Sequence, residues 1–174
     1  MSVAGHIVIT GPMGVGKTTT ANAVAAELGL PYRDSDSDIE ARTGMTGREI
    51  AEREGVPFLH ELEAEVLLDA LEAVDASVIS AAGSVVERSE CRAALNDAAT
   101  VVLLEIDLAT LLDRMSTGSH RRPIDSGEIE KLLERRAAWF GDVADLSLDA
   151  TEPTSQLVAK IVSAVEANSQ DGST

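Results

Sequence analysis

The residues best suited to chemistry lie close to the start of the chain, in the segment ITGPMGVGKTT at positions 9–19. The phosphate-loop pattern G-x-x-x-x-G-K-[ST] is filled there by Gly11, Gly16, Lys17 and Thr18. Glycines let the backbone curl until successive N–H groups point at one phosphate group, and a following helix N-terminus adds partial positive charge. Lys17 can then span the β- and γ-phosphates of ATP, while the Thr18 hydroxyl completes a Mg²⁺ shell. The predicted nucleotide-binding residues are Gly11, Pro12, Met13, Gly14, Val15, Gly16, Lys17, Thr18 and Thr19.

The elements that flank this loop are a strand and a helix. HIVIT at 6–10 is a short β-branched run, which is typical of a buried strand. From Thr18 onwards apolar residues recur at helical spacing, and Gly29 follows where a helix commonly ends. The alternative is a glycine-rich turn with an incidental lysine, but the strand–loop–helix context favours a phosphate-binding loop.

Carboxylates follow the second predicted strand, which lies within PYRDSDSD at 31–38. Asp34 and Asp36 form a D-x-D pair, with Asp38 two residues further on. A carboxylate beside a γ-phosphate can orient and deprotonate an alcohol while Mg²⁺ absorbs charge. The alternative is that these acids only cap the helix that follows them.

Arg136 lies on the apolar stripe of a helix that is predicted to begin at Ser126 and to reach Phe140. It occupies a slot where leucine is expected, whereas Arg135 points elsewhere. A buried arginine needs an anion. That anion is either an acidic substrate or an internal carboxylate of Glu63 or Asp36.

The remaining pattern predicts five short strands separated by helices. The strands are expected at 6–10, within 31–38, and at 77–80, 100–106 and 145–149. Alternating strands and helices give βαβ units, hence a parallel sheet with helices on both faces. The predicted fold class is therefore α/β: a three-layer P-loop NTPase fold with a five-stranded parallel sheet flanked by helices.

The composition restricts the class of partner. The 174 residues carry a formal net charge of −16, which repels nucleic acid and anionic membranes. The single cysteine, Cys91, excludes an internal disulfide and fits a reducing compartment. No signal-peptide run or 18-residue apolar stretch occurs. We expect a cytoplasmic monomer whose partners are small molecules.

Together with the phosphate loop, four further segments resemble the successive motifs of shikimate kinases. They are DSDSDIEARTG at 34–44, VISAAGS at 78–84, RRP at 121–123 and ERRAAWFGDVADLSLD at 134–149. The resemblance covers nearly all of residues 5–165 and implies an ATP- and Mg²⁺-dependent kinase that phosphorylates an alcohol, with shikimate as the leading acceptor. The implied organisation is one kinase domain at 1–167, a substrate-binding segment at about 34–66, a mobile lid at about 115–125 and a flexible tail at 168–174.

The resemblance also assigns roles to single residues. Asp34 matches a residue near Mg²⁺, and Asp36 matches the one that binds and polarises the acceptor hydroxyl. Arg136 matches the arginine that grips the substrate carboxylate. Arg122 matches the lid arginine that closes over the phosphates as a catalytic cation, whereas Arg121 is expected to face solvent.

Three further assignments rest on looser matches. Ser80, at the end of the third strand, matches a hydroxyl near the metal's water shell, or it bonds its own backbone. Arg114, at the root of the lid, matches an arginine of the nucleotide site. Adenine contacts are expected around Met115 and residues 150–154.

Two departures from the family's pattern concern the acceptor. His60 stands where the family has a second carboxylate-binding arginine, and Ala81, Ala82 and Gly83 stand where it has three glycines. A neutral imidazole cannot form the bidentate fork of a guanidinium. Alanine narrows the pocket and is costly where φ must be positive. Asp36, His60, Ala82, Gly83 and Arg136 are the predicted substrate-binding residues, in an altered acceptor site; alternatively, His60 is a half-exposed helix residue without a ligand.

These departures keep other functions open. The second interpretation of the same residues is a kinase that phosphorylates gluconate, another hydroxy acid or a polyol. A nucleotide-binding protein without phosphoryl transfer would not need Asp36, Arg122 and Arg136. A nucleoside monophosphate kinase needs more arginines on the acceptor side than the chain offers.

Overall fold

The five predicted strands form one parallel sheet. The computed structural model describes residues 5–116 and 125–171, with side chains up to residue 168. The strands are β1 (His6–Thr10), β2 (Tyr32–Asp34), β3 (Val78–Ser80), β4 (Ala99–Glu105) and β5 (Leu146–Asp149). Their order is β2-β3-β1-β4-β5, and all neighbouring pairs are parallel. The predicted α/β fold is confirmed.

Helices connect the strands. They are α1 (Lys17–Leu28), α2 (Ser35–Thr43), α3 (Gly47–Arg53), α4 (Val56–Leu71), a 3₁₀ helix (Gly83–Glu87), α5 (Ser89–Ala98), α6 (Leu108–Ser116), α7 (Ser126–Val143) and α8 (Thr154–Asp171). Within the described ranges no helix combines the length and the apolar character needed to cross a membrane.

Two α-helices, α3 and α5, and the 3₁₀ helix are missing from the sequence prediction. α3 begins with a capping box in which Glu49 N donates to Thr46 Oγ1 at 3.2 Å and Thr46 N donates to Glu49 Oε2 at 2.8 Å. That T-x-x-E signal was readable in the sequence. α5 buries only Cys91 and Leu95, so its apolar repeat is too short to indicate a helix.

Two helix ends also differ from the prediction. The side chain of Asp125, rather than that of Ser126, caps α7 by accepting a hydrogen bond from Gly127 N at 3.1 Å. α8 runs to Asp171 and so enters the segment at 168–174 that was predicted as a flexible tail. Residues 172–174 lie outside the described structure.

Alternate residues of the strands fill two apolar layers, one on each face of the sheet. Val8 packs with Leu67 of α4 and Phe140 of α7 in one layer. Ile9 packs with Ile161 of α8 in the other layer, beneath α1. Successive strand side chains point to opposite faces, so a strand buried on both faces is expected to be a continuous apolar run, as Ile7, Val8 and Ile9 are.

The carboxyl ends of β1, β2 and β3 meet at one edge of the sheet. Asp34 pairs in register with Ser80, and Ser80 pairs with Ile9. The phosphate loop leaves β1 at the same edge, directly after Thr10. Ligands of open parallel sheets bind at this edge, so the topology makes the predicted residues of the loop, β2 and β3 neighbours.

Candidate active site

The phosphate loop, residues 11–18, owes its course to glycines at two positions. Gly11 has φ +144°, and a Cβ there would lie 2.5 Å from the carbonyl oxygen of Leu104. Gly16 has φ +107° and precedes the first turn of α1. Side chains are disfavoured at both positions, the first by collision and both by conformation. The loop therefore enters α1 with its backbone curled, as the motif predicts.

Lys17 folds back over this loop. Its Nζ donates to the carbonyl oxygens of Gly11 and Pro12, both at 2.9 Å. Thr18 and Thr19 are exposed in the first turn of α1, where backbone N–H groups have no helical partner. A cation and the N–H groups of a helix N-terminus thus lie together at the end of β1, which is the chemistry that a polyphosphate requires.

Asp34 caps α2, so the capping interpretation applies to this residue. Its Oδ1 accepts from Asp36 N at 2.9 Å and its Oδ2 accepts from the Tyr32 hydroxyl at 3.0 Å. Asp36 is exposed in the first turn of α2, whereas Asp38 forms an ion pair with Arg33 at 2.7 Å. Capping and a role near the metal are compatible for Asp34, since a carboxylate has about four lone-pair positions.

Of the predicted metal residues Thr18, Asp34 and Ser80, Asp34 accepts a hydrogen bond from the Tyr32 hydroxyl, and the other two lie near that hydroxyl. Burial and then the charge of Asp34 raise the pKa of Tyr32 to about 12, while hydrogen bonding from Thr18 and Ser80 lowers it. The Ser80 carbonyl accepts from Ser35 Oγ at 2.7 Å, which joins α2 to β3. We call residues 11–19, Asp34 and Ser80 the nucleotide side.

The described residues contain no cluster of three His, Cys, Asp or Glu side chains that could hold a metal ion. Mg²⁺ does not require one, because it keeps several waters and takes one or two carboxylates plus phosphate oxygens. Two hydroxyls and one carboxylate beside a phosphate loop fit that preference. The donor set is thus compatible with Mg²⁺ on a bound polyphosphate.

Arg136 is buried in α7, with 7% of its surface exposed. Its Nε donates to Glu87 Oε1 at 2.7 Å, and Arg135 Nη2 donates to the same oxygen at 2.9 Å. The internal partner of Arg136 is therefore Glu87 and not Glu63 or Asp36, the two alternatives named from the sequence, and the expectation that Arg135 points elsewhere is wrong. Glu87 was missed because its contact depends on how the 3₁₀ helix Gly83–Glu87 meets α7, which no local pattern shows.

Glu63 is a buried acid in the same region, and it accepts a hydrogen bond from Ser84 Oγ. Burial raises its pKa to about 7, and the Asp36 charge adds to the shift. The Ser84 hydrogen bond and the charges of Arg136 and Lys17 oppose it. The phosphate-loop lysine, the D-x-D acid and the buried arginine therefore act on one carboxyl group.

His60 is half-buried on α4, beside Arg136. Burial lowers the pKa of its imidazole, the nearby charge of Arg136 lowers it further, and Glu87 opposes the shift. The ring is thus neutral at physiological pH and supplies no second cation. We call Asp36, His60, Glu63, Gly83 and Arg136 the acceptor side.

The Ala-Ala-Gly segment carries no conformational cost. Ala82 has φ −62° and ψ 146°, and no described residue other than glycine has a positive φ. The expected strain at Ala81 and Ala82 is therefore wrong. Gly83 is the constrained position: a Cβ there would lie 2.9 Å from Gly11 O and 3.4 Å from Arg136 Nη1. One glycine thus joins the phosphate loop to the buried guanidinium.

Arg114 lies against the phosphate loop from the other flank. Its Nη1 donates to Val15 O at 3.1 Å and its Nη2 donates to Ala150 O at 2.9 Å. It therefore ties the loop to the turn that follows β5, where adenine contacts are predicted. Arg121 and Arg122 lie outside the described residues, as does most of the predicted lid.

Comparison with known proteins points to one family. The sequence profile described as shikimate kinase matches residues 13–166. A shikimate kinase of Pseudomonas syringae pv. syringae (strain B728a) is 32% identical over 157 residues, 88% of this chain and 91% of that protein. The structure of a shikimate kinase from Acinetobacter baumannii in complex with shikimate superposes with TM-score 0.87 at 26% identity, over 96% of both chains. A gluconokinase structure from Sinorhizobium meliloti 1021, with TM-score 0.68 at 19% identity over 98% of this chain and 97% of that one, shows the fold alone.

Proposed function

The chain belongs to the shikimate kinase family, and on that premise we propose that it transfers the γ-phosphoryl group of ATP to a hydroxyl group of shikimate. As a family member it is an ATP-dependent phosphotransferase. One observation carries the choice of acceptor: the buried guanidinium of Arg136 lies beside Gly83, whose backbone abuts the phosphate loop at Gly11. An acidic metabolite held there has its hydroxyls close to a bound γ-phosphate.

The nucleotide side holds ATP. Lys17 exchanges its two backbone acceptors for phosphate oxygens, and the loop N–H groups complete the cradle. Thr18, Asp34 and Ser80 would hold Mg²⁺, which when bound neutralises charge on the phosphates. Arg114 fixes the loop backbone, and Arg122 is proposed to close over the phosphates.

The acceptor side orients the alcohol. Arg136 binds the acceptor carboxylate through its Nη groups, because Glu87 already occupies Nε. Asp36 accepts the proton of the attacking hydroxyl, as the exposed D-x-D carboxylate at the edge of the cleft. His60 is neutral and offers at most one hydrogen bond, so we propose weaker carboxylate binding than two arginines would give, by about ten- to a hundredfold.

Coupled measurement of ADP release tests the proposal. With ATP and Mg²⁺, release should rise with shikimate concentration, and Asp36→Asn should lower kcat by about 10²–10⁴-fold. Arg136→Lys should raise the KM for shikimate about tenfold or more, because an ammonium cannot replace the fork. Arg135→Lys is the matched control: it changes the exposed neighbour that shares Glu87 and should alter KM less than twofold.

Three outcomes would contradict the proposal. A different acceptor would be identified if ADP release were independent of shikimate concentration but increased with gluconate or another hydroxy acid. That increase would have to depend on Asp36. Nucleotide binding without turnover on any such acid would identify a protein that binds without transfer. An Asp36→Asn variant with full activity would remove the proposed base.

We propose a monomer with one kinase domain at 1–167, acting in the cytoplasm on small molecules. Sedimentation equilibrium would test the first part, since a dimer would double the 18.3 kDa mass of the chain. Fractionation of the source cells would test the second.

A further inference from the structure

We propose that Tyr32 is a positioning residue of the metal site: its hydroxyl fixes the Asp34 carboxylate in the orientation that faces Thr18 and Ser80. The inference rests on the proposed function, in which Asp34 helps to hold Mg²⁺. It concerns the hydroxyl group of Tyr32. Four observations carry it.

The first observation is the fixed state of Asp34. Its two carboxylate oxygens accept different hydrogen bonds, Oδ1 from Asp36 N at 2.9 Å and Oδ2 from the Tyr32 hydroxyl at 3.0 Å. The terminal torsion of an aspartate side chain is otherwise broad. Two anchors on opposite oxygens hold the plane of the carboxylate in place. Among the bonds that the described residues make to this carboxylate, loss of the Tyr32 hydroxyl leaves the capping bond alone.

The second observation is the register of β2. Tyr32 and Asp34 are two residues apart on a strand, so their side chains lie on the same face of the sheet. Tyr32 pairs with Val78 of β3 and Asp34 pairs with Ser80. The hydroxyl therefore reaches along β2 towards the carboxyl end of β3, where the metal residues meet.

The third observation is the anchoring of the ring. Tyr32 is partly buried and packs against the apolar layer beneath α1, which contains Val24 and Val78. This packing leaves the ring few alternative positions. The ring of Tyr32 therefore packs in the core, while its hydroxyl donates to Asp34 at the site.

The fourth observation is the set of polar groups near the Tyr32 hydroxyl. Hydrogen bonding from Thr18 and Ser80 acts on the Tyr32 oxygen as well. The phenol thus donates to Asp34 and lies near Thr18 and Ser80, the other two groups that we assign to the metal. The geometry explains why a tyrosine is useful here, since phenylalanine would fill the same core position without joining those groups.

The test is calorimetric titration of ADP into wild type, Tyr32→Phe and Thr10→Val, each in excess MgCl₂ and in EDTA. Tyr32→Phe keeps the packed ring and loses the hydroxyl. We expect wild-type affinity in EDTA and about a fivefold loss in MgCl₂, the usual worth of one hydrogen bond. Thr10→Val is the control: it removes a buried hydroxyl that has no partner in the described structure, and both affinities should stay unchanged.

Equal losses in MgCl₂ and EDTA would make Tyr32 a structural residue only and overturn the inference. Unchanged affinity in both would overturn it too. If wild type binds ADP no more tightly with Mg²⁺ than without, the assigned metal site fails and the inference fails with it. Shikimate-dependent ADP release by wild type, measured separately, shows whether the proposed acceptor chemistry stands in each case.

Discussion

The nucleotide side and the acceptor side are built in opposite ways. The phosphate loop is one continuous segment whose course is imposed by Gly11 and Gly16. The acceptor side joins Glu63 to Ser84 across 21 residues and Arg136 to Glu87 across 49. Its guanidinium is already paired with the internal carboxylate of Glu87. A local site can be recognised from spacing, whereas a site assembled by folding depends on contacts that spacing does not encode.

The largest expected effect lies on the nucleotide side. Lys17→Ala removes the cation that spans the phosphates, so kcat/KM should fall about a thousandfold. The free energy of unfolding should change little, since the ammonium donates to backbone oxygens of the loop itself, Gly11 O and Pro12 O. Steady-state kinetics and urea unfolding measure the two quantities. A decrease in kcat/KM of less than tenfold would contradict this contrast between the two sides, because the phosphate loop would then not dominate catalysis.

The next effect concerns pH and lies on the acceptor side. Glu63 has a pKa of about 7 in the folded chain, raised chiefly by burial from an ordinary value of 4.5. The folded state therefore holds this proton more tightly than the unfolded state, and stability falls as pH rises from about 4.5 to 7. The loss is on the order of 3 kcal/mol, because each pKa unit corresponds to about 1.4 kcal/mol.

Glu63→Gln should remove that slope, so its stability relative to wild type should improve between pH 4.5 and pH 8. Urea unfolding across this range is the measurement. Glu65→Gln, at an exposed acid on the same helix, is the matched control and should keep the wild-type slope. A slope that survives in Glu63→Gln would show that the buried carboxyl is not its source.

A smaller effect is expected where the two sides touch. Gly83→Ala places a Cβ 2.9 Å from Gly11 O and 3.4 Å from Arg136 Nη1, so the loop and the guanidinium must move apart. We expect kcat/KM to fall about tenfold to a hundredfold through misalignment. Gly141→Ala on α7 meets no atom within 4 Å and should raise stability by up to about 1 kcal/mol without changing kinetics. If Gly83→Ala and Gly141→Ala had equal kcat/KM, the nucleotide side and the acceptor side would not depend on each other through Gly83.

The smallest effect sharpens the description of the acceptor side. His60→Arg restores a guanidinium beside Arg136, with Glu87 nearby to balance its charge. The KM for shikimate should fall about tenfold, the worth of one charge-assisted hydrogen bond. An unchanged KM would contradict the prediction of an altered acceptor site.

The sequence predicted the strands, the phosphate loop and the sheet because each depends on local periodicity or on glycine at a fixed spacing. It did not predict Glu87 as the partner of Arg136, since that contact depends on how the 3₁₀ helix meets α7. It also overstated the cost of Ala82, because a glycine in relatives says nothing about the φ that this chain adopts. No sequence pattern indicates a role for Tyr32, because the hydrogen bond from its hydroxyl to Asp34 is visible only in the structure.

The contact at Gly83 has a thermodynamic consequence. Gly83 lies so close to both groups that a Cβ there would be 2.9 Å from Gly11 O and 3.4 Å from Arg136 Nη1, so a displacement of the loop by an arriving triphosphate would be passed to the guanidinium that binds the second ligand. Linkage makes such an influence mutual: whatever ATP does to the affinity for the acid, the acid does to the affinity for ATP, by the same factor. The absence of a side chain at Gly83 thus makes the affinity for ATP and the affinity for the acid interdependent.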